Sequence, residues 1–124
     1  MAPQCLAKIL VVDDELMIRM YAREILEEAG YTVHEATSAE EALRIIADTE
    51  DVGAVVTDID MPGAMDGLEL ARCVDASRPE LAIVIMSGHV LPARDQLPLK
   101  ATFVAKPFLP EIFLLNVAQA LVEC

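Results

Sequence analysis

The sequence has no tryptophan, three cysteines, and nine lysines and arginines against 21 aspartates and glutamates. A net charge of −12 leaves little with which to grip a nucleic-acid backbone, which needs a basic patch. Cys5, Cys73 and Cys124 are odd in number and far apart, which suits reduced thiols in a cytosol better than a disulfide framework. Without paired spacing they are also poor metal ligands. Long apolar runs are missing too, since charge or proline breaks each one well short of the roughly 20 residues that span a bilayer. The opening Met-Ala-Pro-Gln-Cys has no basic region ahead of an apolar stretch, so no signal peptide is read and a cytoplasmic location is expected.

What remains is a chain of 124 residues, 55% apolar, with seven dispersed prolines, which is the composition of a packed globule of one domain. We expect a single domain over residues 1–124, ordered over about 7–123, with no attached output domain. Most of the acidic charge reads as a solvated exterior. The rest calls for a bound cation or for a partner with a basic surface.

Short apolar runs alternate with amphipathic segments throughout, the pattern of a parallel sheet covered by helices on both faces. Strands are predicted at Ile9 to Val12, Thr32 to Ala36, Ala54 to Thr57, Leu81 to Met86 and Thr102 to Ala105, each apolar enough to be buried on both sides. Helices are predicted at Met17 to Ala29, Ala39 to Thr49, Leu68 to Ser77 and Glu111 to Val122, with a shortened fourth helix of about one turn near Ala93 to Gln96, between Pro92 and Pro98. Ser38 with Glu41, and Asp66 with Glu69, have capping-box spacing, and Gly30 suits the left-handed end of the first helix. Within that helix Ile18, Ala22, Ile25 and Ala29 form one inward stripe. Leu16, Met17, Met20 and Tyr21 lie off it and could serve as a docking patch or widen the core face.

Ligands of an open parallel sheet bind beyond the carboxyl ends of its strands. The first strand ends in Asp13-Asp14, the third in Asp58, the fourth in Ser87 and the fifth in Lys106, so three carboxylates, a hydroxyl and an ammonium converge on one edge. Clustered carboxylates push one another's pKa upward unless a cation compensates them, and oxygen-only ligands with room for water and phosphate suit Mg²⁺. Lys106 and Ser87 would then bind the remaining oxygens of a phosphoryl group.

The motifs V-V-D-D-E at 11–15, T-D-I-D-M-P-G at 57–63, M-D-G at 65–67, M-S-G at 86–88 and K-P-F at 106–108 make the chain resemble the receiver domains of two-component response regulators over nearly its whole length. The resemblance implies an α/β fold, a doubly wound, flavodoxin-like five-stranded parallel sheet in the order 2-1-3-4-5. It implies that Asp58 is the phosphoacceptor and that Asp13, Asp14 and Asp58 hold Mg²⁺ with the main-chain carbonyl of Asp60. Ser87 and Lys106 would contact the phosphoryl group, Phe103 would be the switch aromatic, and a cis Lys106-Pro107 bond would aim the ammonium at the site. Asp60 and His89 would line the path of the water that later removes the phosphoryl group. The donor would be a histidine kinase or a histidine phosphotransfer protein, and the chain would assist its own phosphorylation and dephosphorylation without being a turnover enzyme.

The resemblance has two departures. The loop P-G-A-M-D-G is one residue longer than the commoner form, and only 18 residues separate Ser87 from Lys106, with the loss falling in the short fourth helix. Two other readings stay open: a receiver-like interaction module that is never phosphorylated, and a haloacid-dehalogenase-type phosphatase, which shares Asp-x-Asp, Ser and Lys in this order but does not begin with an acidic pair. In the last helix the resemblance, aligned at Lys106, implies that Phe113, Val117 and Leu121, with Leu114 and Ala120 at the margins, face the sheet. That leaves Ile112, Leu115 and Val122 outward for a homodimer or a downstream partner, unless Leu91 to Leu99 folds over them.

Overall fold

The computed structural model describes residues 7–61, 63–88 and 101–122, the last of these without its side chain. Five strands form one sheet: β1 (Lys8–Val12), β2 (Thr32–Ala36), β3 (Val52–Asp58), β4 (Ala82–Ser87) and β5 (Thr102–Ala105). They are all parallel, in the order β2-β1-β3-β4-β5. Four helices are described, α1 (Leu16–Glu28), α2 (Ala39–Asp48), α3 (Gly67–Ser77) and α4 (Pro110–Val122). The short helix expected near Ala93 to Gln96 and the Leu91 to Leu99 segment lie outside the described residues, as do His89, Cys5, Cys124 and the Val122 side chain.

Alternation along each strand builds two cores. Ile9 and Val11 of β1 join Val56, Val84, Ala22, Leu26, Phe113 and Val117 on the α1 and α4 side, while Leu10 and Val12 join Val55, Ile83, Ile46, Leu70 and Val74 on the α2 and α3 side. Every residue of β4 is buried, which is why its sequence reads as an unbroken apolar run. Among the described residues no helix is long and apolar enough to cross a membrane.

The helix ends follow their caps with two corrections. Asp66 and Glu69 form the full capping box. Ser38 does accept from the Glu41 N–H at 3.1 Å, but the Glu41 carboxylate bonds the N–H and hydroxyl of Thr37, at 2.7 and 2.9 Å, because that residue offers it two donors. The inward stripe of α1 closes on Leu26 in place of Ala29, which is exposed. The Ala29 N–H already bonds back to the Leu26 carbonyl at the tightened last turn, and Gly30, at φ +103°, then swings the chain towards β2.

Leu16, Met17, Met20 and Tyr21 are exposed on α1. Tyr21 nevertheless stacks on Phe108, which stacks on Phe113, and its hydroxyl donates to the Phe108 carbonyl at 3.3 Å. On α4, Phe113 and Val117 are buried and Ile112 and Leu115 are exposed, as expected, but Ala120 takes the core place expected of Leu121, which with Leu114 packs partly buried at the margin.

Candidate functional site

Strand order reverses between β1 and β3, so the crevice beyond their carboxyl ends is where this sheet can hold a ligand. Asp13 follows β1 directly and is fully buried, with its N–H on the Ala36 carbonyl and its Oδ1 accepting from the Glu15 N–H at 2.9 Å. Asp58 is the last residue of β3 and 7% exposed, and its Oδ1 accepts from the Ile59 N–H at 2.9 Å. Pairing of Asp58 with Met86 puts Ser87, also buried, one residue further along the neighbouring strand. Lys106 follows β5, its N–H donating to the Ser87 carbonyl at 2.7 Å, and the Lys106-Pro107 bond is cis as the resemblance implies.

These ends converge. The Lys106 Nζ lies 3.0 Å from Asp58 Oδ1, 3.3 Å from Asp13 Oδ2 and 4.0 Å from Glu15 Oε1. Asp13, Asp14 and Asp58 each bring a carboxylate oxygen to within 4.8 Å of the other two. Asp14, Glu15, Asp58, Asp60, Gly88 and Lys106 line an open cleft of about 320 Å³. Phe103, paired with Ile85, is partly buried against the α2 and α3 core. Of the residues the sequence assigned to this site, only His89 lies outside the described part of the chain.

Burial pushes the Asp58 carboxyl above its ordinary value, although the Lys106 ammonium beside it pulls the other way. Burial works to lower the Lys106 pKa, and the hydrogen bond to Asp58 with the charge of Asp13 overrides it, so the ammonium is held above its usual range. One ammonium facing three carboxylates leaves a negative excess in a crevice floored by apolar strands. The donors are all oxygen, and one of the three carboxylates is exposed, a set that fits a hard divalent cation keeping some of its water.

Sequence reasoning missed three contributors. Glu15 lines the cleft and Arg19 donates through Nη1 to the Asp13 carbonyl at 2.8 Å. Gly67 opens α3 so close to β3 that a Cβ there would lie 1.8 Å from the Asp58 carbonyl oxygen. Gly67 stood inside a quoted motif, but nothing in the sequence alone says that two backbones meet there.

The family model of the response regulator receiver domain matches residues 9–117. The chain is similar to the sensor kinase CckA of Brucella abortus, 40% identical over 106 residues that cover 82% of this chain and 11% of that protein. It is also similar to the C4-dicarboxylate transport transcriptional regulatory protein DctD of Rhizobium meliloti, 38% identical over 103 residues, 81% of this chain and 22% of that one. The chain thus spans less than a quarter of the length of these two relatives. Among solved structures, a response regulator receiver protein from Sinorhizobium medicae aligns with a TM-score of 0.88 at 27% identity, covering 94% of this chain and 95% of that one.

Proposed function

The chain belongs to the response regulator receiver domain family, and from that premise we propose that it accepts a phosphoryl group on Asp58 from a phosphohistidine of a kinase or phosphotransfer protein. The observation that carries this reading is the Asp58 carboxylate at the floor of an acidic cleft, 3.0 Å from the Lys106 ammonium, the only one lining it among the described residues. Oδ1 is held by the Ile59 N–H and by Lys106, which leaves Oδ2 to attack phosphorus in line. A P–O bond forms as the P–N bond breaks, and the electron pair of that bond stays with the departing imidazole. Asp13, Asp14, Asp58 and the main-chain carbonyl of Asp60 would hold Mg²⁺, which supplies neutralising charge to the phosphoryl oxygens when bound. Lys106 and the Ser87 hydroxyl would take the oxygens left over.

Loss of the phosphoryl group needs a water in line with the acyl phosphate; Asp60, which lines the cleft, would influence its approach, and His89 is the second candidate for that role. Signalling would run through protein contacts, in the cytoplasm. Two exposed apolar faces support this: Met17 and Met20 on α1 for the phosphodonor, and Ile112 and Leu115 on α4 for a homodimer or a downstream protein once Phe103 turns inward.

The test is intact-mass spectrometry after incubation with acetyl phosphate and Mg²⁺, and then with a phosphorylated kinase. Wild type should gain one phosphoryl group and Asp58→Asn none, because an amide is not an effective nucleophile. Equal gain by the variant would remove Asp58 from the role. No gain by wild type from either donor would leave the receiver-like interaction module as the better reading.

A further inference from the structure

We propose that Arg19 is a positioning residue for the acidic cluster: by bridging the Asp13 main-chain carbonyl to Glu35 on the edge strand β2, it fixes the Asp13-Asp14 peptide and raises the cluster's affinity for a divalent cation. This rests on the metal-binding reading given above.

The bridge begins where the sheet runs out. Pairing of β1 with β2 ends at Val12 and Ala36, and the Asp13 N–H makes one last bond to the Ala36 carbonyl at 3.1 Å. The Asp13 carbonyl lies past that ladder, and a buried acceptor needs a donor from elsewhere. Arg19 supplies it through Nη1 at 2.8 Å. Its own N–H bonds the Glu15 carbonyl at 3.0 Å, so the first turn of α1 carries the side chain back over the loop that it fastens.

The guanidinium is itself held. Its Nε donates to Glu35 Oε1 at 2.7 Å, with the Arg19 side chain 12% and Glu35 23% exposed. The other oxygen of Glu35 accepts from Arg23, which also pairs with Glu27 at 3.0 Å. Those charge-assisted bonds keep the Glu35 carboxyl below its usual pKa, the one to Arg23 first. Glu35 also balances the positive charge of Arg19, so the guanidinium fastens the loop without cancelling the negative field of the cleft. Two N–H groups of one rigid plane thus meet two acceptors from different elements, which a lysine cannot reproduce.

The consequence falls on Asp14. Asp13 is restrained at its N–H, its carbonyl and both carboxylate oxygens. Asp14 is exposed, and among the described residues its carboxylate has no partner of its own. Its direction is inherited from the peptide that Arg19 anchors. An oxygen ligand held in place before the cation arrives binds more tightly than one that must first be ordered, and outer partners of metal ligands typically change affinity by about tenfold or more.

Mn²⁺ binding by electron paramagnetic resonance and Mg²⁺ binding by titration calorimetry, both on chelator-stripped protein, test this alongside thermal unfolding in chelator. Arg19→Gln should weaken both ions about tenfold. Arg19→Lys should recover thermal stability but not affinity. Glu35→Gln, which keeps an acceptor for Nε but releases the charge, should weaken both ions less than Arg19→Gln does and serves if Arg19→Gln does not fold. Asp14→Asn is the control for the site itself. Weaker binding by Asp14→Asn with unchanged binding by the Arg19 and Glu35 variants would overturn the role of Arg19 alone. Affinity fully restored by lysine would overturn the bridge, and unchanged binding by Asp14→Asn would overturn the metal site on which it depends.

Discussion

Replacing Lys106 with methionine keeps the aliphatic stem and removes the one positive charge between two buried carboxylates. Each contact, at 3.0 Å to Asp58 and 3.3 Å to Asp13, has a Coulomb attraction of about 5 kcal/mol at an effective dielectric of about 20. Desolvation of the ammonium, 14% exposed, offsets much of that in the wild type. In the variant the carboxylates stay buried with no ion-pair partner among the described residues, and breaking such a cluster from one side costs about 3 kcal/mol. Urea unfolding at pH 7.5 in chelator should show that loss. Because burial already raises the Asp58 carboxyl, taking away Lys106 raises it further. A carboxyl raised in the folded state contributes stability that is present below its unfolded pKa and is lost as pH rises through the folded value, so the deficit should shrink towards pH 5. Saturating Mg²⁺ at pH 7.5 should shrink it as well. A variant as stable as wild type, or a deficit indifferent to both pH and Mg²⁺, would refute the charge argument.

Gly67→Ala should destabilise by about 2 kcal/mol or more and slow labelling from acetyl phosphate, since its Cβ meets the Asp58 carbonyl at 1.8 Å and either α3 or the end of β3 must give way; wild-type unfolding and labelling would contradict this. Met17→Glu with Met20→Glu should slow phosphotransfer from a protein donor while sparing acetyl phosphate, measured as initial rates of label incorporation; equal loss with both donors would indicate damage to the fold or the site. The Glu41 carboxyl is lowered chiefly by the backbone N–H of Thr37, so its contribution exists above its unfolded pKa and is lost as pH falls through the folded value. The difference in melting temperature between wild type and Glu41→Gln should therefore be present at pH 7 and shrink on acidification below the ordinary carboxylate range, and a difference independent of pH would show that the carboxylate is not its source.

Much of this is legible in the sequence. A strand buried on both faces must be apolar at nearly every position, so β1 and β4 stood out, and the polar residue that ends each run marked the site. Asp66 and Glu69 were legible as a cap because the reciprocal bonds are local. Ser38 and Glu41 were half legible, since the neighbouring Thr37 competes for the carboxylate and sequence spacing does not rank donors. Ala29 failed because helical periodicity presumes a helix that continues, whereas the last turn tightens before Gly30. Arg19 gave no signal, because its role depends on where the β1 ladder ends in space, and that is a fact about β2 as much as about residues 13–19.

Lys106 reaches the cleft from β5, an edge strand made after the other four of the sheet. Until β5 docks on β4, the acidic pair after β1 and the carboxylate after β3 face each other without the Lys106 ammonium, and closing the switch point between those strands is opposed by charge. Docking of the edge strand removes that opposition through a contact spanning 93 residues of sequence. On the proposed phosphoacceptor reading, competence would therefore arise in one step with completion of the sheet, and a nascent or partly unfolded chain that already displays Asp58 would lack the site that makes it reactive.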